Sequence, residues 1–203
     1  MSKLRVNELD SRTGSKIEVA TGTDFKYKDG VVQIKRTVIN TASTITSATL
    51  TSIGSVSITP RFSNCLIKVD CVIQAQHASY YTGALQVFRN VSGTGTALGI
   101  STDTTMSNSN VTTSVLNYTG GQYGIGVRLG EYSSYTETNF GKNWCPTPFS
   151  FTFYDEPNTT SAISYDLYGA TGSSSYPLYI NRSTDTGDGS RSISVMTVTE
   201  IGQ

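Results

Sequence analysis

The sequence predicts an all-β protein: an antiparallel β-sandwich of jelly-roll type preceded by an extended N-terminal arm. Three observations carry that expectation. Short runs of alternating apolar and polar residues recur from residue 31 onward. No segment spaces its apolar residues at the helical period. Ser and Thr together outnumber the 15 basic and 15 acidic side chains, and 19 glycines and 12 tyrosines complete a composition of strands and polar turns. About ten short strands, each with one apolar face, bury those faces most simply as two sheets packed face to face.

Residues 1–30 do not read as a domain. Leu4, Val6 and Leu9, then Ile17 and Val19, are the regularly placed apolar residues in a polar and charged stretch, and Ser11 to Ser15 reads as a turn. So few side chains cannot offset a backbone ordering cost of about 1–2 kcal/mol per residue. The arm is therefore expected to be held by the body of its own chain, by a copy of itself or by a partner, with these five residues as its anchors.

Residues 31–203 read as the β domain. Val32, Ile34 and Val38 alternate with Gln33, Lys35 and Thr37, and after a Thr/Ser-rich stretch Val56 and Ile58 lead into Pro60. The clearest strand follows. Cys65, Ile67, Val69, Cys71, Ile73 and Ala75 form one unbroken apolar face, while Lys68, Asp70 and Gln74 face the other way. Further strands are expected at Ala84–Arg89, Thr96–Ser101, Val111–Tyr118, Pro148–Tyr154 and Ala162–Tyr168, with Asp155 to Asn158 as a turn between the last two. The core is expected to hold Ile67, Val69, Ile73, Phe151, Ile163 and Leu167. From Tyr176 to Ile201, two β-branched runs flank Asp185, Gly187, Asp188 and Gly189, the pattern of a terminal hairpin with a long turn.

Charge and cysteine usage narrow the function. The formal net charge is zero and the basic residues are scattered, so no nucleic-acid surface is expected. No apolar run approaches a membrane span, and the opening residues lack the apolar core of a signal peptide, which predicts synthesis in a cytoplasm without membrane insertion. Cys65 and Cys71 lie six residues apart on one predicted strand, about 20 Å at about 3.3 Å per residue. A disulfide spans at most about 7 Å between Cα atoms, so free thiols are expected.

The chemistry-bearing residues are sparse. His77 is the single histidine, no Gly-x-Ser-x-Gly elbow accompanies it, and the residues near it supply neither a triad nor a metal cage. The glycines of Gly124 to Gly130 lack dinucleotide-binding spacing, and Asp185 to Gly189 lacks the carboxylates of a calcium loop. No catalytic residue, metal or cofactor is expected, and the chain reads as a non-enzyme. Aromatic residues that fall outside the core pattern are more informative. Tyr80, Tyr81, Tyr123, Tyr132, Tyr135 and Trp144 crowd around turns and the long segment from Thr119 to Thr147, where rings with a polar tip suit a recognition surface, although they equally suit a subunit interface.

Several stretches resemble fibre and appendage proteins of tailed bacteriophages. Val31 to Ile34 with the Thr/Ser run, Ser55 to Pro60, Ser63 to Val69, Tyr179 to Arg182, Arg191 to Ser194 and Thr197 to Ile201 resemble a β domain recurrent in that family. Leu4 to Leu9 with Gly14 to Ile17 resembles its N-terminal virion-attachment segment. The resemblance implies a virion structural protein, a homotrimer whose arm docks on other virion proteins and whose β domain points outward toward a host-surface glycan or protein. A purely structural piece without receptor binding, a head fibre or an adaptor, stays open beside it.

Overall fold

The computed structural model describes residues 29–77, 83–98, 146–171, 174–175, 177–183 and 190–203. These residues form ten strands and no helix: β1 (Val31–Ile39), β2 (Ser43–Ile45), β3 (Thr51–Ile58), β4 (Leu66–His77), β5 (Gly83–Val91), β6 (Thr94–Leu98), β7 (Thr147–Asp155), β8 (Ile163–Thr171), β9 (Leu178–Ile180) and β10 (Ser194–Ile201). Every pairing is antiparallel. One sheet has six strands, ordered β1-β10-β4-β9-β2 with β7 on the other side of β4, and the second runs β3-β8-β5-β6.

The two sheets share one core, built from the period-two apolar faces of their strands. β4 contributes Ile67, Val69, Cys71, Ile73 and Ala75, β10 contributes Met196 and Val198, and the second sheet answers with Val56, Leu85, Val87, Ile163, Tyr165 and Leu167. Each large aliphatic side chain so buried is worth about 1.5–3 kcal/mol. The expected core residues are at most 1 % exposed, apart from Phe151. Phe149, Phe151 and Phe153 pack on the core but stay half-buried on β7, which among the described residues pairs with β4 alone.

Two sequence expectations are refined by the structure. Among the described residues the terminal runs meet antiparallel around Arg182 and Arg191, whereas β9 and β10 follow one another along the same side of β4, β10 on Leu66–Val72 and β9 on Ala75–His77. The Arg182 to Arg191 bridge closes the excursion between them, with the Ser183 N–H donating to the Ser190 carbonyl and the Ser192 N–H to the Asn181 carbonyl, both at 3.1 Å. β4, at twelve residues, is long enough to carry both. The Thr/Ser-rich stretch also holds more strand than its composition suggests. β2 lies within it, and β3 starts at Thr51, with Gly54 fitted so closely that a Cβ there would lie 2.7 Å from Ile39 Cδ1.

The turn expected at Asp155 to Asn158 is present, with Asn158 at φ 52°. The expected strand at Val111–Tyr118 lies outside the described residues, as does the arm up to residue 28.

Candidate functional site

Strand direction divides the molecule into two poles. At the first, the chain enters: Asp29 donates its N–H to the Gly202 carbonyl at 2.8 Å, and Gly202 donates to Gly30 at 3.0 Å, so the end of the chain is tied to the start of β1. Val31, Ile201 and Leu66 stand side by side here. At the opposite pole β4 ends on His77, paired with Leu178, and β7 begins at Thr147 opposite Ala75. In the second sheet β5 begins at Gly83 opposite Thr171, and β6 runs back toward that same pole. The connections that contain Tyr80 and Tyr81, and Tyr123, Tyr132, Tyr135 and Trp144, therefore depart from or return to strand ends at the pole remote from the entry of the chain. Those six aromatic residues lie outside the described residues, and so do the arm residues Leu4, Val6, Leu9, Ile17 and Val19.

Between the poles, three buried polar clusters fasten the strands. Near the entry pole Glu200, fully buried on β10, accepts N–H bonds from Arg61 at 2.8 Å and Phe62 at 3.1 Å on Oε1, while Gln33 Nε2 donates to Oε2 at 2.6 Å. The carboxylate thereby pins the segment after β3 onto the first sheet. Asp155, at the end of β7, bridges the sheets: Arg89 Nη1 donates to Oδ1 at 2.7 Å and the Tyr165 hydroxyl donates to Oδ2 at 2.8 Å. Burial first, and then the Asp155 charge, push the Tyr165 phenol well above its ordinary range, so it remains a neutral donor.

The third cluster mounts the β9–β10 excursion. Asn181, at φ 57°, donates from Nδ2 to the carbonyls of Ile39 and Thr41 and accepts the Ser194 hydroxyl at 2.6 Å. Its N–H bonds the Gln74 carbonyl, and the Gln74 N–H bonds Ser194 Oγ. One residue beyond, the Arg182 guanidinium lies 5.2 Å from the centroid of the Tyr179 ring.

These groups are occupied by structural bonds, and their arrangement is mechanical. Cys65 and Cys71 are buried free thiols. Burial, with the Glu200 charge second, pushes Cys65 up to about 11, and burial with the Asp70 charge pushes Cys71 up to about 12, so neither is a thiolate near neutral pH. Among the described residues no group of three His, Cys, Asp or Glu side chains could hold a metal ion.

The period-two pattern did not single out Glu200, Asp155 or Asn181. A signal existed for Glu200, which occupies the buried phase set by Met196 and Val198, where a carboxylate must be fully hydrogen-bonded. Compared with known proteins, the chain matches no family model and no curated protein.

Proposed function

We propose that this chain is a virion structural protein of a tailed bacteriophage, a tail fibre or fibre-like appendage. Its N-terminal arm anchors it on the particle through other virion proteins, and its β domain, a sandwich of jelly-roll type assembled as a homotrimer, contributes to attachment at the host surface. The observation that carries this reading is the opposition of the two poles. The arm joins the body beside Val31 and Gly202, whereas the aromatic-rich connections spring from strand ends around His77, Gly83 and Thr147. A tethered adhesive module needs that polarity: anchorage at one end, recognition loops on a rigid scaffold at the other.

The scaffold is suited to the task because buried polar bonds fix loop-bearing strands that a small core alone would leave free to shift. Recognition by Tyr and Trp rings suits a glycan or protein surface. Imaging of particles carrying an affinity-labelled copy tests the reading. Label on a tail appendage, together with binding of the purified protein to host cells, supports it. Label on the head without cell binding would favour a purely structural fibre or adaptor, and absence from the particle would refute both.

A further inference from the structure

We propose that the outer face of the six-stranded sheet, centred on β1, is the contact surface between copies of this chain; the proposal rests on the self-association in the function proposed above and assigns it a place. β1 reverses the pattern of its neighbours. Its core side carries Gln33, Lys35 and Thr37 before it reaches the buried Ile39, while Val31, Ile34 and Val38 point outward, 59 %, 59 % and 43 % exposed. The register continues these residues across the sheet in two apolar rows: Val38, Val195 and Val72 at one end, Val31, Ile201 and Leu66 at the other.

Between the rows lie Ile34, Thr199, Lys68 and Tyr154, then Arg36, Thr197, Asp70 and Thr152. Lys68 and Asp70 neutralise each other at 3.0 Å, and the Thr152 hydroxyl donates to Asp70 at 2.6 Å. Such a face does not select a polyanion or an anionic membrane, which need clustered Lys and Arg. It does fit a face of its own composition. β-branched residues meet β-branched residues, Arg36 of one copy can approach Asp70 of another, and copies of zero net charge do not repel.

Pairing through the edge of β1, unpaired among the described residues, is the competing mode, and the sheet obstructs it. Lys35 lies on the core side of that edge, and the register shifts between Val31 and Gln33, so a charge and a bulge guard the strand. Association by the face meets no such barrier. Four strands about 4.8 Å apart and about eight residues long present roughly 500 Å² of surface, more than half of the roughly 800 Å² per partner of a standard interface.

Sedimentation velocity of the full chain over a range of concentrations tests this, comparing wild type with Ile34→Glu/Val72→Glu. Both positions are exposed, so circular dichroism should stay that of the wild type while association weakens at least about a hundredfold. Should the double variant misfold, Val38→Lys alone should weaken association at least about tenfold. Lys35→Thr should keep the wild-type mass. A folded face variant that retains the wild-type mass overturns the assignment and leaves self-association standing, and tighter association of Lys35→Thr than of the wild type would move the contact to the edge. A wild type that is monomeric at every concentration overturns both. The virion reading is decided separately, by the position of the protein on the particle.

Discussion

Asn181 and Ser194, thirteen residues apart, are joined side chain to side chain by a 2.6 Å hydrogen bond at the base of the excursion between β9 and β10. Asn181 is fully buried there, in the left-handed region that asparagine tolerates better than most residues, and its amide also ties the carbonyls of Ile39 and Thr41. Asn181→Ala should cost about 2–4 kcal/mol, because two carbonyls and the Ser194 hydroxyl lose partners and the backbone is strained. Asn181→Gly should cost less, since it removes the strain. Urea unfolding of the two variants checks both the loss and its order.

Glu200→Leu should be at least as damaging, at about 3 kcal/mol or more. It preserves volume but leaves the N–H groups of Arg61 and Phe62 and the Gln33 amide without their acceptor in a buried setting. Equal unfolding midpoints for variant and wild type would show that the carboxylate is not the fastening of this pole.

Gly169 lies against the core so closely that a Cβ would approach Ile45 Cδ1 and Ile53 Cδ1 at 2.9 Å and Leu178 Cδ2 at 3.2 Å. Gly169→Val should therefore destabilise by about 1–3 kcal/mol through overpacking, despite the higher strand propensity of valine. Thermal unfolding that is unchanged or raised would contradict this packing.

Alkaline pH should destabilise the fold through its thiols. Cys65 and Cys71 titrate from 9.0 to about 11 and about 12 on folding, so above pH 9 the unfolded chain releases protons that the folded chain keeps. The stabilising contribution is fully present below pH 9 and is lost as pH rises toward 11 and 12, by an amount on the order of 2 kcal/mol per thiol at pH 10.5. Urea unfolding at pH 7, 9 and 10.5 should show the decline, and a Cys65→Ala/Cys71→Ala variant, less stable at pH 7, should show a shallower one. Parallel declines would assign the effect to other groups.

Deleting Met1 to Gly22 should leave a folded β domain that no longer enters virions. The fastening of Asp29 and Gly30 to Gly202 is untouched by that truncation, so the body keeps its closure. Normal incorporation of the truncated protein would move the anchor into the β domain, and unfolding would show that the arm is part of its core.

Much of the core was legible because alternation has one physical meaning inside a sheet. Cys65 to Ala75 and Ile163 to Leu167 read as buried faces, and every apolar residue of those faces is at most 1 % exposed. The same alternation in β1 reads alike but points its apolar side to solvent, since which face of a strand is inward depends on the sheet it joins, not on its own pattern.

The sequence by itself determined that the chain is β-structured, that β4 is central, that turns follow Asp155, and that no familiar catalytic constellation is spelled out along it. Each of these is local: period two, turn residues and spacing act within about ten residues. Only the tertiary structure decided that β9 and β10 share one side of β4, that Glu200 reaches Arg61 across the chain, that Asp155 meets Arg89 and Tyr165, and that the chain enters at the pole opposite His77. Apart from Asp155 and Tyr165, those relationships join residues far apart in sequence, through hydrogen bonds whose donors and acceptors pair only after the sheets have excluded water from between them.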